Sequence, residues 1–153
     1  MQTRRDMMKH SALVAGLLAA ALPLSAQAQA AAFNRAAFDA KSMDEMLKAL
    51  GLGKPTESKE VTLTGPDIAE NGAVVPLGVA SSAAGVKRLL LLVEKNPNIL
   101  AASFDVSDAV EASMSTRVKM GQTSNVFAVA ITGDNKVLFA QKEVKVTLGG
   151  CGG

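Results

Sequence analysis

NVFAVAITGDNKVLFAQKEVKVTL, residues 125–148, is the stretch on which the reading of the chain turns. Apolar and β-branched runs flank Gly133-Asp134-Asn135, and runs of this length broken by turn residues are the mark of strands. KVLFAQK is followed by KEVKVTL, in which Val144, Val146 and Leu148 alternate with Glu143, Lys145 and Thr147. That period of two predicts a strand with the first set facing inward and the second facing outward. The strand runs straight into Gly149-Gly150-Cys151-Gly152-Gly153, so a glycine-rich tail is expected to leave directly from the end of a sheet.

The same texture extends upstream as far as Pro55. VTLT is followed by GPDIAENG and then by Val74-Val75-Pro76-Leu77-Gly78-Val79; KRLLLLV stops at Asn96-Pro97-Asn98; ILAASFDV and STRVKM follow. Short strands separated by turns at such intervals predict an antiparallel sandwich. Before Pro55 the pattern is helical. Asn34 or Ser42 can cap, Ser42-Met43-Asp44-Glu45 has capping-box spacing, and Met43, Met46, Leu47 and Leu50 recur at helical intervals before Gly51 ends the run. That stripe is expected to face a core.

The first thirty residues carry Arg4, Arg5 and Lys9, an apolar run from Ala12 to Leu24, and small-x-small sites ending at Ala28 and Ala30. This is the build of a signal peptide. Gly16 and Pro23 interrupt the run, which is shorter than the roughly 20 residues of a membrane span. The Arg4-Arg5 pair resembles a twin-arginine signal for folded cargo, and the expected destination is the periplasm. The 16 basic and 14 acidic side chains of the chain include Arg4, Arg5, Lys9 and Asp6 of this leader, and without them the two counts balance. A basic stripe for nucleic acid is therefore excluded, and the chain has no Trp or Tyr to stack on bases.

The one histidine, His10, also lies in the leader, and the one cysteine is Cys151. Residues 31–153 thus hold no Cys/His dyad, no Ser-His-Asp triad, no Cys/His zinc set and no haem-attachment motif. Neither a metal nor a cofactor is expected. Asp105 with Asp108, or Asp44 with Glu45, could pair as acid and base or bind calcium, but they sit in no recognisable loop motif and read as solvated charge.

Cys151 is the informative residue. A lone cysteine is usually a small buried hydrophobe, but glycines on both sides offer no apolar neighbours and no shield for the sulfur. They offer clearance and torsional freedom. Residues 149–153 extend to roughly 15 Å, enough to enter a narrow cleft of another protein with only backbone around the thiol. No cation lies in the tail to stabilise a thiolate, so the sulfur is expected to be activated inside partner sites. The pattern is that of a carried group on a swinging arm, formed by Gly149, Gly150, Gly152 and Gly153 around Cys151.

GGCGG at the terminus, ENGAVVPLGV (70–79), NPNILAASF (96–104), TRVKMGQTSNVFAVA (116–130) and VKVTLGGCGG (144–153), behind a twin-arginine leader, resemble the SoxY family of sulfur carriers in thiosulfate oxidation. The resemblance implies a mainly β fold, an immunoglobulin-like antiparallel β-sandwich with an N-terminal helix and a flexible Gly-rich C-terminal arm. It implies three parts: a signal peptide at 1–30, a helix plus sandwich domain at 31–148, and the carrier arm at 149–153. It also implies a heterodimer with a SoxZ-like subunit and covalent attachment of thiosulfate to Cys151 by a c-type cytochrome enzyme. A sulfate-releasing hydrolase would act next, and in some systems a sulfur dehydrogenase. The chain itself would be no enzyme. MGQTSNV and SMDEMLKAL are departures particular to this chain and leave the tail motif intact.

Three other readings stand beside it. A ubiquitin-like carrier would use a terminal Gly-Gly as a thiocarboxylate, against which export and Cys151 both argue. An exported structural immunoglobulin-like domain could dimerise through an intermolecular Cys151 disulfide. An exported enzyme could use a carboxylate site.

Overall fold

A computed structural model describes residues 34–148; the leader and the arm read from the sequence lie outside the described residues. In chain order the elements are α1 (Arg35–Asp39), α2 (Met43–Ala49), β1 (Pro55–Glu57), β2 (Val61–Thr64), β3 (Ile68–Ala69), β4 (Val75–Ser81), β5 (Val86–Val93), β6 (Leu100–Asp105), β7 (Ser113–Val118), β8 (Ser124–Thr132) and β9 (Val137–Val146). One sheet runs β1-β9-β8-β5-β6 with β3 also on β9, and the other runs β2-β4-β7. The product is an immunoglobulin-like sandwich with two short helices.

The β8–β9 hairpin forms as its residues demand. Asn135 N–H donates to the Thr132 carbonyl at 2.9 Å and Thr132 N–H to the Lys136 carbonyl at 3.1 Å. Asn135 sits at φ 62°, a left-handed conformation that Asn tolerates better than most side chains. Lys136 and the Thr132 hydroxyl both bind Asp134, and its carboxyl is held down at about 2 by these hydrogen bonds, Lys136 first.

β5 explains the layering. Its LLLL run shows no alternation because both faces are covered. Leu89, Leu91 and Val93 enter the core between the sheets, with Val75, Leu77, Val79, Val126, Ala128 and Val144. Leu90 and Leu92 point the other way, into a second core with Val129, Ile131, Val137 and the helices' Ala37, Met46 and Leu47. The helices are therefore a lid on the outer face of the larger sheet.

The expected single helix is two. Asn34 caps α1 by accepting from Ala37 N–H, and Ser42 caps α2 by accepting from Glu45 N–H. Ala40, in an extended conformation, separates them. At the far end Gly51, at φ +70°, closes a Schellman motif. Its N–H meets the Lys48 carbonyl at 3.0 Å and Leu52 N–H meets the Leu47 carbonyl at 2.9 Å.

Other expectations change with the topology. KVLFAQK and KEVKVTL are one strand, β9, whose pairing with β8 continues unbroken from Val137 to Val144. The sandwich is not wholly antiparallel, since β1 and β3 both run parallel to β9. The chain enters the large sheet as β1, crosses to the small sheet as β2, and returns as β3, so GPDIAENG holds a strand as well as a turn. Val144 is fully buried as expected, but Leu148 is 68% exposed. β8 begins at Ser124, opposite Val144, so residues farther along β9 have no β8 neighbour to cover them.

The two leucines make a direct comparison. Leu91→Ala should cost about 2–5 kcal/mol of unfolding free energy, whereas Leu148→Ala should stay within about 0.5 kcal/mol of the parent. Urea unfolding midpoints of the two variants check both.

Candidate functional site

The structure describes the root of the tail, where β9 meets residue 148. Lys145 N–H donates to the Asp67 carbonyl at 2.9 Å, and Thr147 N–H to the Ala69 carbonyl at 3.1 Å. The Thr147 hydroxyl donates to the Glu70 carbonyl at 3.1 Å. On the other side, Val146 N–H donates to Thr123 Oγ1 at 3.0 Å. β9 thus stays strapped on both edges beyond Val144, where its pairing with β8 stops.

Gly72 completes the root. Its N–H donates to the Leu148 carbonyl at 2.8 Å, and its own carbonyl accepts from Met120 N–H at 2.7 Å. Met120 is fully buried in the core between the sheets, so the last described carbonyl is tied through one residue to the interior. The Asn71 side chain accepts from Ala73 N–H at 2.8 Å and holds this turn. Beneath it, Lys142 bridges the Gly65 carbonyl at 2.8 Å and the Asp67 carboxylate at 2.7 Å. The hydrogen bond from Lys142 holds the Asp67 carboxyl below its ordinary range.

Three stretches far apart in sequence therefore converge on the base of the tail: 67–72, 120–123 and 145–148. Cys151 and its glycines, Gly149, Gly150, Gly152 and Gly153, lie outside the described residues. Sequence reasoning gave Gly72, Met120 and Thr123 no role. Gly72 ended the turn stretch GPDIAENG and Met120 ended the strand stretch STRVKM, each read only for its local pattern, and Thr123 stood in MGQTSNV, set aside as particular to this chain. Nothing local marks them, because their partners are more than twenty residues away.

Asp105 and Asp108 take different partners, and Asp44 and Glu45 share the first turn of α2. Asp105 meets Arg88 at 2.6 Å, and Asp108 meets Lys87 at 2.6 Å. Glu45 accepts from Lys41 N–H at 2.9 Å, at the start of α2. These are exposed surface ion pairs and a helix-start contact, with no shared site. Among the described residues no helix is long and apolar enough to cross a membrane.

Comparison with known proteins gives this sandwich a class. The model of a family described as "Sulfur oxidation protein SoxY" matches residues 47–151. Among solved structures, the sulfur carrier protein SoxY from Chlorobium limicola f thiosulfatophilum is similar at 35% identity and a TM-score of 0.61, covering 69% of this chain and 94% of that one. A superoxide reductase (neelaredoxin) variant from Ignicoccus hospitalis is similar at 13% identity and a TM-score of 0.51, covering 71% of this chain and 90% of that one. That second likeness is one of fold alone. No curated protein matches.

The chain is a β-sandwich of the sulfur-oxidation class. It belongs to the SoxY family, and its role is that of a carrier in sulfur oxidation.

The root makes a prediction of its own. Gly72→Pro removes the N–H that binds the Leu148 carbonyl and should loosen the last residues of β9. Amide exchange at Thr147 should accelerate by at least about tenfold, while exchange in the middle of β5 slows or quickens only with global stability. Unchanged protection at Thr147 would mean that the Gly72 contact does not hold the root.

Proposed function

We propose that this chain carries thiosulfate-derived sulfur covalently on Cys151 and presents it to partner enzymes. The observation that carries the reading is that the SoxY match runs to residue 151, the cysteine itself. It is supported by a root bound into the sandwich only three residues earlier. A fixed base and a short glycine-flanked thiol let a partner find the sulfur at a defined distance from the sheet.

The chemistry balances without a resident cofactor. The Cys151 thiolate and thiosulfate join through a new S–S bond and give up two electrons to a c-type cytochrome enzyme, leaving a cysteine S-thiosulfonate. Water attack by a hydrolase then releases sulfate and two protons and leaves a persulfide on Cys151. The persulfide's outer sulfur is then passed to another thiol by exchange, or a sulfur dehydrogenase takes six electrons from it while three waters add as oxygen, giving an S-sulfonate that the hydrolase cleaves to sulfate; either course restores the carrier thiol. In this reading the chain supplies the attachment point and the partners supply activation, in keeping with a tail that holds no cation.

A SoxZ-like subunit is the permanent partner in this proposal, and the periplasm is the compartment. The Arg4-Arg5 leader would export the folded pair together. Arg4→Lys with Arg5→Lys should then strand both subunits in the cytoplasm, as read by immunoblot of periplasmic fractions. Normal periplasmic levels of the SoxZ-like subunit would mean that it leaves by its own route.

The central test is the cysteine. Cys151→Ser should abolish thiosulfate-dependent respiration while leaving the unfolding midpoint unchanged, because no core residue is altered. Intact mass of the parent from thiosulfate-grown cells should show sulfur adducts that the variant lacks. A covalent homodimer without adducts would instead favour the structural, disulfide-linked reading.

A further inference from the structure

On one side of the sandwich the two sheets end in β6 and β7, as on the other side they end in β1 and β2. Among the described residues β6 pairs only with β5, and β7 only with β4. A groove of about 400 Å³ runs between them, floored by Ala101, Ala102 and Thr116 and rimmed by Asn96, Arg117 and Lys119. Edge strands are commonly guarded by charge or proline. β1 has Pro55 and Glu57, whereas β6 reads LAASFD, with no charge or proline before Asp105 and a single irregularity in its pairing with β5 at Ala101. The small side chains of Ala102 and Ser103, past that irregularity, leave the backbone open to an incoming strand.

Charge and position narrow what fits. Arg117 and Lys119 are exposed, form no ion pair among the described residues, and share the groove lining with no carboxylate. Asn96 donates to the Lys119 carbonyl at 2.8 Å and fixes that end of the groove. Lys119 precedes Met120, which is joined through Gly72 to the Leu148 carbonyl by hydrogen bonds of 2.7 and 2.8 Å. Two hydrogen bonds and one residue, of at most about 3.6 Å, thus separate the groove's end from the root of the tail.

That proximity bears on the partner. Cys151 is three residues beyond Leu148, a reach of roughly 10 Å, so any enzyme that takes up the thiol covers the surface beside the root. The groove suits a transient partner more than a permanent subunit, because lasting interfaces are more apolar. The large apolar side chains exposed on this protein, Ile68, Val74, Val110 and Leu148, all lie outside its lining.

We propose that the β6–β7 groove docks an acidic, extended segment of an enzyme that acts on the tail, with the segment adding as a strand to the open edge and its carboxylates meeting Arg117 and Lys119. The inference rests on the carrier reading. Backbone pairing supplies the alignment, and the cations raise the rate of encounter.

The test uses the mature chain in complex with its SoxZ-like subunit, as substrate for the purified thiosulfate-loading cytochrome and sulfate-releasing hydrolase. Arg117→Glu with Lys119→Glu should lower kcat/KM for at least one enzyme by about tenfold or more at about 10 mM ionic strength, with kcat preserved. At about 1 M salt, where the Debye length is roughly 3 Å, the difference should shrink to within about twofold. Alkylation of Cys151 by a small thiol reagent should be unaffected. Lys54→Glu with Lys59→Glu makes the same net charge change away from this groove and should have no such effect. Unchanged kcat/KM for both enzymes, an equal loss in the Lys54/Lys59 variant, or dissociation of the SoxZ-like subunit by the Arg117/Lys119 change would overturn the docking inference alone. Failure of either enzyme to act on the parent, with no adduct on Cys151, would remove the carrier reading and this inference with it.

Discussion

Burial of β5 on both faces is the constraint on which the rest of the structure depends. Leu89, Leu91 and Val93 need the small sheet above them, and Leu90 and Leu92 need the helices below. A half-covered strand of this composition would leave several large apolar side chains in water, each worth about 1.5–3 kcal/mol when buried. The β2-β4-β7 sheet and the α1–α2 pair are the two covers that remove this exposure. With β5 fixed, β8 and β9 follow by antiparallel pairing, and β9 delivers the chain to its terminus at one end of the sandwich.

That end is built differently from the hairpin end. At Thr132–Lys136 the backbone turns back on itself and its charges are paired locally, Asp134 with Lys136 at 2.7 Å. At Lys145–Leu148 the chain does not turn; it is held by the 67–72 segment, by Thr123 and, through Gly72, by Met120. The physical problem there is to end a sheet firmly without covering what comes next. Side-chain burial would enclose the end; the restraint is made instead from hydrogen bonds, those of the backbone joined by the hydroxyls of Thr123 and Thr147, and Leu148 is left exposed. A carrier in sulfur oxidation gains from this arrangement, because a defined origin limits the space through which a partner must search.

Much of this was legible in the residues. Hairpin, capping signals and the change of texture at Pro55 all rest on local chemistry, in which a side chain acts on its own backbone or near neighbours. Asn135 and Gly51 adopt left-handed φ because of what they are, and Ser42 caps where its spacing to Glu45 says it should. Val144 turns inward because period two holds as long as the sheet continues around it. The lone glycine-flanked cysteine pointed to a carrier by chemistry alone, and a carrier in sulfur oxidation is the class that the SoxY family supports; Cys151 itself lies outside the described residues.

What only the tertiary structure decided was everything that depends on contacts distant in sequence. Leu148 obeys the strand period and still lies in water, since β8 begins opposite Val144 and extends no farther in that direction, and no local signal reports where a neighbouring strand's pairing stops. The parallel pairing of β1 and β3 with β9 arises because the chain visits the small sheet between them, a crossover that composition does not encode. Gly72, Met120 and Thr123 carry no signature of their own as supports of the tail. They acquire that role because backbone donors and acceptors from three remote segments must satisfy one another where the sheet ends.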